Sequence, residues 1–146
     1  MKPCLVLIAT ALTLTACASV QRTLTYPSQY ADAAVTVGGH PFAIWFHEED
    51  PTILIQRGPG QSLNRALAQN WTMYANDQSE PEVYWRVAAN AVLQPMGCQA
   101  LEVTGADQMR EVSFRCLEGV NIKQEVAARR DGWRQGLVMS EPRPAY

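Results

Sequence analysis

The chain has 146 residues and a mass of 16.2 kDa, the size of one domain. With 47% hydrophobic and 18% charged residues, 9 Gly and 9 Pro, it is neither collagen-like nor wholly disordered. A formal net charge of −2 and a pI near 5.6 lack the basic excess of a non-specific nucleic-acid binder, so nucleic acid is not an expected partner.

Lys2 supplies a positive charge, and an apolar run follows from Cys4 to Leu14. This is the n-region and short h-region of a secretory signal, below the length of about 20 residues that a membrane-crossing helix needs. The run ends in Leu14-Thr15-Ala16-Cys17: a branched apolar residue, two small residues and a cysteine. In these residues the chain resembles a bacterial lipoprotein precursor, and the four residues correspond to its lipobox. The resemblance covers residues 1–18. It implies removal of residues 1–16, a diacylglycerol thioether on Cys17 and an acyl chain on the freed amine, with no cofactor beyond these lipids. A thiol is the side chain nucleophilic enough to take the lipid. Acyl chains at about 0.8 kcal/mol per buried CH₂ make a lasting membrane anchor. Ala18, where an Asp would signal retention in the inner membrane, implies the periplasmic face of the outer membrane. The remaining domain resembles small Gram-negative lipoproteins, a likeness that carries no named activity.

Residues 17–33 are polar, lack a sustained period and contain Pro27, so they are expected to be a lipidated tether. Fully extended, such a stretch reaches about 50 Å. Tyr26 and Tyr30 suit docking on the domain or a place near lipid headgroups, and the sequence does not choose between them.

Residues 34–118 carry the signals of an α+β domain. Val35 to Val37, Gly38-Gly39 and Phe42 to Phe46 read as a hairpin, because two glycines supply the positive φ of a primed turn. Phe42, Ile44 and Phe46 share one face and Trp45 takes the other. Thr52 to Gln56 adds a third strand, in which Ile53 and Ile55 alternate against Leu54. Apolar residues on both faces predict that part of this sheet is covered twice. Ser62 caps a predicted helix with Leu63, Ala66, Leu67, Asn70, Trp71 and Tyr74 on one stripe. Ser79-Glu80-Pro81-Glu82 has capping-box spacing and opens a second helix to about Gln94, with Tyr84, Val87, Ala88, Ala91 and Val92 on its apolar stripe. Pro95 and Gly97 end it.

Of the four cysteines, Cys4 leaves with the signal and Cys17 carries lipid, which leaves Cys98 and Cys116 in an oxidising compartment. A hairpin centred on Asp107 sets these two opposite each other, within reach of a disulfide. A metal site for the pair lacks a C-x-x-C partner. In that register Leu101 and Val103 face one way while Val112 and Phe114 face the other, so a one-residue bulge is expected between the Cys end and the middle. The whole predicts a small antiparallel sheet, a three-stranded meander plus a C-terminal hairpin, with two helices on one face. Residues 119–146 are expected to form a loosely held helix over Asn121 to Gln135, then a tail at Glu141-Pro142-Arg143-Pro144.

Chemistry-bearing residues are few. His40 and His47 sit at the ends of one strand on opposite faces and so do not share a metal. His47 with Glu48, Glu49 and Asp50 suits a metal or a general base, or reads as a solvated turn. Arg57, Gly58 and Gly60 before a helix suit an anion, or a plain connection. Arg129, Arg130 and Arg134 with Trp133 form a basic, aromatic cluster, a candidate contact for a partner or anionic headgroup if it is not an ordinary exposed helix face. The tryptophans at 45, 71, 85 and 133 read as packing residues rather than a sugar platform.

These features predict a membrane-anchored lipoprotein with no catalytic site, binding or assembling with an envelope protein partner. A cell-wall or lipid-acting enzyme using carboxylates near His47, and an inhibitor of a muramidase-type enzyme, are the alternatives.

Overall fold

A computed structural model describes residues 21–27, 30–59, 81–106 and 108–143. Period-two alternation forms three consecutive strands, as expected. β1 (Ala33–Val37) turns at Gly38 and Gly39, with φ of 54° and 86°, into β2 (His40–Phe46). Both positive φ values are those of a primed turn, which glycine adopts without a Cβ clash. β3 (Thr52–Arg57) pairs antiparallel with β2, placing Ile55 opposite Ile44 and Ile53 opposite Phe46.

β4 (Cys98–Ala106) and β5 (Met109–Cys116) form the second hairpin. Cys98 stands opposite Cys116 and the two are joined by a disulfide. The register shifts by one residue between Ala100 and Val103, so that Val103 faces Val112. This is the expected bulge, and its backbone groups are satisfied locally. Arg86 donates to the Leu101 carbonyl at 2.7 Å, Glu102 N–H donates to Ser113 Oγ at 3.2 Å, and Ala100 N–H donates to Asn90 Oδ1 at 3.2 Å.

The α+β class holds, but the sheet is larger than expected and is not purely antiparallel. β5 pairs with β3, so meander and hairpin merge. β6 (Leu137–Met139) then adds to β1 in parallel, giving the order β4-β5-β3-β2-β1-β6. Alternation tells which way side chains point and not which edge a strand joins. A three-residue strand is also too short to carry a period.

α1 (Glu82–Leu93) and α2 (Ile122–Arg134) pack on the same sheet face. On α1 the buried line is Trp85, Ala88, Ala89, Val92 and Leu93. The expected stripe is rotated, because Tyr84, Val87 and Ala91 are only half-buried beside it. Pro81 occupies the N-cap, and a 3₁₀ turn at Gln94–Met96 and Gly97 in the left-handed region close the helix. Ser79, Glu80 and the predicted helix from Ser62 lie outside the described residues. On α2, Asn121 caps the helix by accepting from Gln124 N–H at 3.2 Å. Val126 and Trp133 enter the core, so this helix is held by the sheet rather than loosely attached.

The opposite face buries Ala43, Trp45 and Leu54 under Tyr26 and Ala31. The stretch expected as a tether is therefore packed where it is described. Trp45 and Leu54 leave an apolar surface that the alternation itself exposed, and burying it stabilises the docked segment. Tyr26 docks, whereas Tyr30 is 68% exposed.

Candidate functional site: a groove along the last helix

Helix α2 sets Ile122, Lys123, Val126, Ala127, Arg130 and Arg134 along one wall of a groove of about 430 Å³. Helical spacing puts these residues on adjoining rows. Phe46, His47 and Glu48 line the other side, and Pro27, Tyr30 and Asp32 close it from the N-terminal segment.

Asp32 is buried at 6% exposure. Its Oδ1 accepts from Arg130 Nε at 2.8 Å and its Oδ2 accepts from Phe46 N–H at 2.9 Å. A buried carboxylate is stable there because both oxygens are satisfied. Arg134 donates to the carbonyls of Ala31 at 2.9 Å and Tyr30 at 3.4 Å. Those partners fix the guanidinium without neutralising it, and among the described residues it has no carboxylate partner.

The basic, aromatic cluster is thus divided. Arg130 and Arg134 reach the groove. Arg129 turns away to pair with Glu125 and donates to the Pro95 carbonyl at 3.2 Å. Trp133 is 5% exposed and stacks on Phe46, centroids 5.9 Å apart and planes 8° from parallel. It packs beneath Phe46, which lines the groove. These residues are close in the chain, but an α-helix rotates successive residues by about 100° onto different faces. The spacing of Lys123, Ala127, Arg130 and Arg134 around the apolar Val126 was the available signal.

His47 is nearly enclosed. Its Nδ1 accepts the backbone N–H groups of Glu49 at 3.2 Å and Asp50 at 2.9 Å, so that nitrogen carries the lone pair. Nε2 then bears the proton and donates to Thr25 Oγ1 at 2.8 Å, while the Thr25 hydroxyl donates to the Arg22 carbonyl at 2.6 Å. The ring also meets Tyr26 edge-on at 4.9 Å. His47 therefore ties the β2–β3 turn to the docked N-terminal segment.

Arg22 continues this tie, contacting Asp50 at 2.6 Å and Glu111 at 2.9 Å. The hydrogen bond to Asp50 raises the Arg22 pKa, and the same bond lowers that of Asp50. Tyr26 OH lies 2.7 Å from Glu111 and 2.8 Å from Thr52. Burial, with the Glu111 carboxylate beside it, pushes the Tyr26 phenol far above its ordinary value.

His40 lies at the other end of β2, meeting Arg57 at 3.4 Å and Tyr84 edge-on at 5.5 Å. The Tyr84 hydroxyl donates to Glu141 at 2.9 Å. Gly60, Trp71 and Cys17 lie outside the described residues. Trp45 and Trp85 are fully buried, in keeping with a packing role. Among the described residues no group of three or more His, Cys, Asp or Glu side chains is placed to hold a metal ion, and no helix is long and apolar enough to cross a membrane.

No family model, curated protein or solved structure matches this chain.

Proposed function

We propose that this chain is a lipoprotein anchored through Cys17 at the periplasmic face of the outer membrane, and that it binds an envelope component in the α2 groove without catalysing a reaction. Binding rather than proton transfer is favoured by one observation. The groove's histidine uses Nδ1 to hold two backbone N–H groups and Nε2 to hold Thr25, leaving neither nitrogen available to a substrate. Asp32, the groove's buried carboxylate, is likewise engaged by Arg130 and Phe46. The Cys98–Cys116 disulfide fits an oxidising compartment.

Docking of Arg22 to Asp50 and Glu111 shortens the free tether. Cys17 and Arg22 are five residues apart, so the anchor is within about 18 Å of the domain.

The anchor is tested by the mass of the protein purified from membranes. A chain beginning at Cys17 and carrying acyl groups is expected, and an intact leader or an unmodified Cys17 would refute it. The groove is tested with a photo-reactive residue at Ala127 and a control at Leu101 on β4. Crosslinking to one envelope component from position 127 alone is the expected result. Equal products from both positions would remove the groove from the proposal.

A further inference from the structure

We propose that the groove receives the phosphoethanolamine headgroup of a bilayer lipid, an inference that rests on the anchor reading for its location. The docked N-terminal segment passes the mouth of the groove. Thr25 bonds His47 at 2.8 Å, Arg22 bonds Asp50 at 2.6 Å, and Pro27 lines the wall. A lipid on Cys17, no more than about 18 Å of chain from Arg22, holds that mouth beside the membrane surface.

The charges specify the ligand. Lys123 and Glu48 line the same groove, and neither has a partner among the described residues. Arg134 adds a cation fixed by two backbone carbonyls. A ligand with one anionic and one cationic group satisfies both walls. Phosphate oxygens accept from Arg134 and a primary ammonium donates to Glu48, while Lys123, about 16 Å along α2 from Arg134, draws the anion toward the groove without sharing it. A purely anionic ligand would leave Glu48 facing it, because Asp32 is already matched by Arg130. Phe46 and Val126 give the floor an apolar surface suited to the glycerol end, and about 430 Å³ is within the usual size of a small-molecule site. An acidic peptide segment would answer the cations but bring no cationic group to Glu48.

The test titrates glycerophosphoethanolamine and glycerophosphoglycerol into the full chain, purified from membranes in a phosphate-free detergent, and follows backbone amides by NMR. Saturable shifts at Ala127 and Arg130 are expected, with the ammonium-bearing probe bound about threefold more tightly. Glu48→Gln should erase that preference. Arg134→Gln should weaken both probes by about threefold, and adding Lys123→Gln should weaken them further. Unchanged amide positions in β2 and β3 verify that each variant is folded. Absence of saturable shifts, equal affinity for the two probes, or full binding by the double variant overturns the proposal. So does a glutamate-rich peptide that occupies the groove more tightly than either probe, which would assign it to a protein. Because the probes are soluble, binding does not depend on the anchor. An unmodified Cys17 with intact headgroup binding would sink the anchor alone.

Discussion

Asp32 and Arg130, 98 residues apart in sequence, meet at 2.8 Å and tie the last helix to the end of the second strand. Arg130 is partly exposed at 41%, whereas Asp32 is nearly enclosed and also holds the Phe46 N–H. Replacing Asp32 by Ala strands a buried backbone donor as well as the guanidinium, with an expected loss of about 2 kcal/mol. Arg130→Ala should cost about 1 kcal/mol, because solvent already screens part of its charge. In urea unfolding the double variant should lose less than the sum of the two by about 1 kcal/mol. Strict additivity would show that the pair is not coupled.

Cys98 and Cys116, with a sequence separation of 18, close the hairpin at one end. In the chain-entropy account, replacing both by Ser removes about 3 kcal/mol of stability. The same loss should appear when the unaltered protein is unfolded in the presence of a reductant. A midpoint indifferent to reductant would contradict the crosslink.

Trp133 and Arg129 separate packing from recognition. Trp133→Ala removes the ring stacked on Phe46 and should cost about 3–5 kcal/mol. Trp133→Phe should recover much of that loss. Arg129→Ala should leave binding in the groove unchanged, since this side chain points to Glu125 and Pro95. A binding defect in Arg129→Ala at full stability would move the site.

Tyr26 makes stability fall at high pH. Its folded pKa lies above the unfolded value near 10, so the native state keeps a proton that the unfolded chain has lost. Its contribution is complete below about pH 10 and is lost as pH rises beyond that. Tyr26→Phe should lower the melting temperature at pH 8, by about 1 kcal/mol of lost hydrogen bonding, and flatten the decline from pH 9.5 to 11. An equally steep decline in the variant would place its cause elsewhere.

Asp50 acts at the acid end with the opposite sign. Arg22 lowers its folded pKa, so the pair stabilises the protein above the unfolded carboxylate value of about 4, and that stabilisation fades as pH falls through the depressed value. Asp50→Asn should make the melting temperature less sensitive to pH between about 4 and 2. No change in that slope would show that the contact does not persist in solution.

The strands around Phe42, Ile44, Ile53 and Ile55 were legible because alternation over four or more residues reports which side chains share a face. The Cys98–Cys116 pairing and the bulge were legible for a related reason. A two-residue side-chain period and a near-central turn together leave one consistent register. The groove was not, since its walls come from residues near 30, 47 and 123 to 134, and no local pattern links them. Trp133 shows the limit most directly. Its neighbours in the chain suit both a packing role and a surface contact, and the position of Phe46 across the core shows the ring packed.

What the sequence determined by itself was local: strand faces, the double-glycine turn and the opposition of two cysteines. Each depends on residues within a few positions or on one hairpin's symmetry. The tertiary structure decided the rest, namely the union of five antiparallel strands with a sixth parallel one, the docking of Tyr26 on the second face, and the meeting of Asp32 with Arg130. Those contacts join residues far apart in the chain, and burial of apolar surface chooses among them by how whole elements fit together rather than by any pattern within one element.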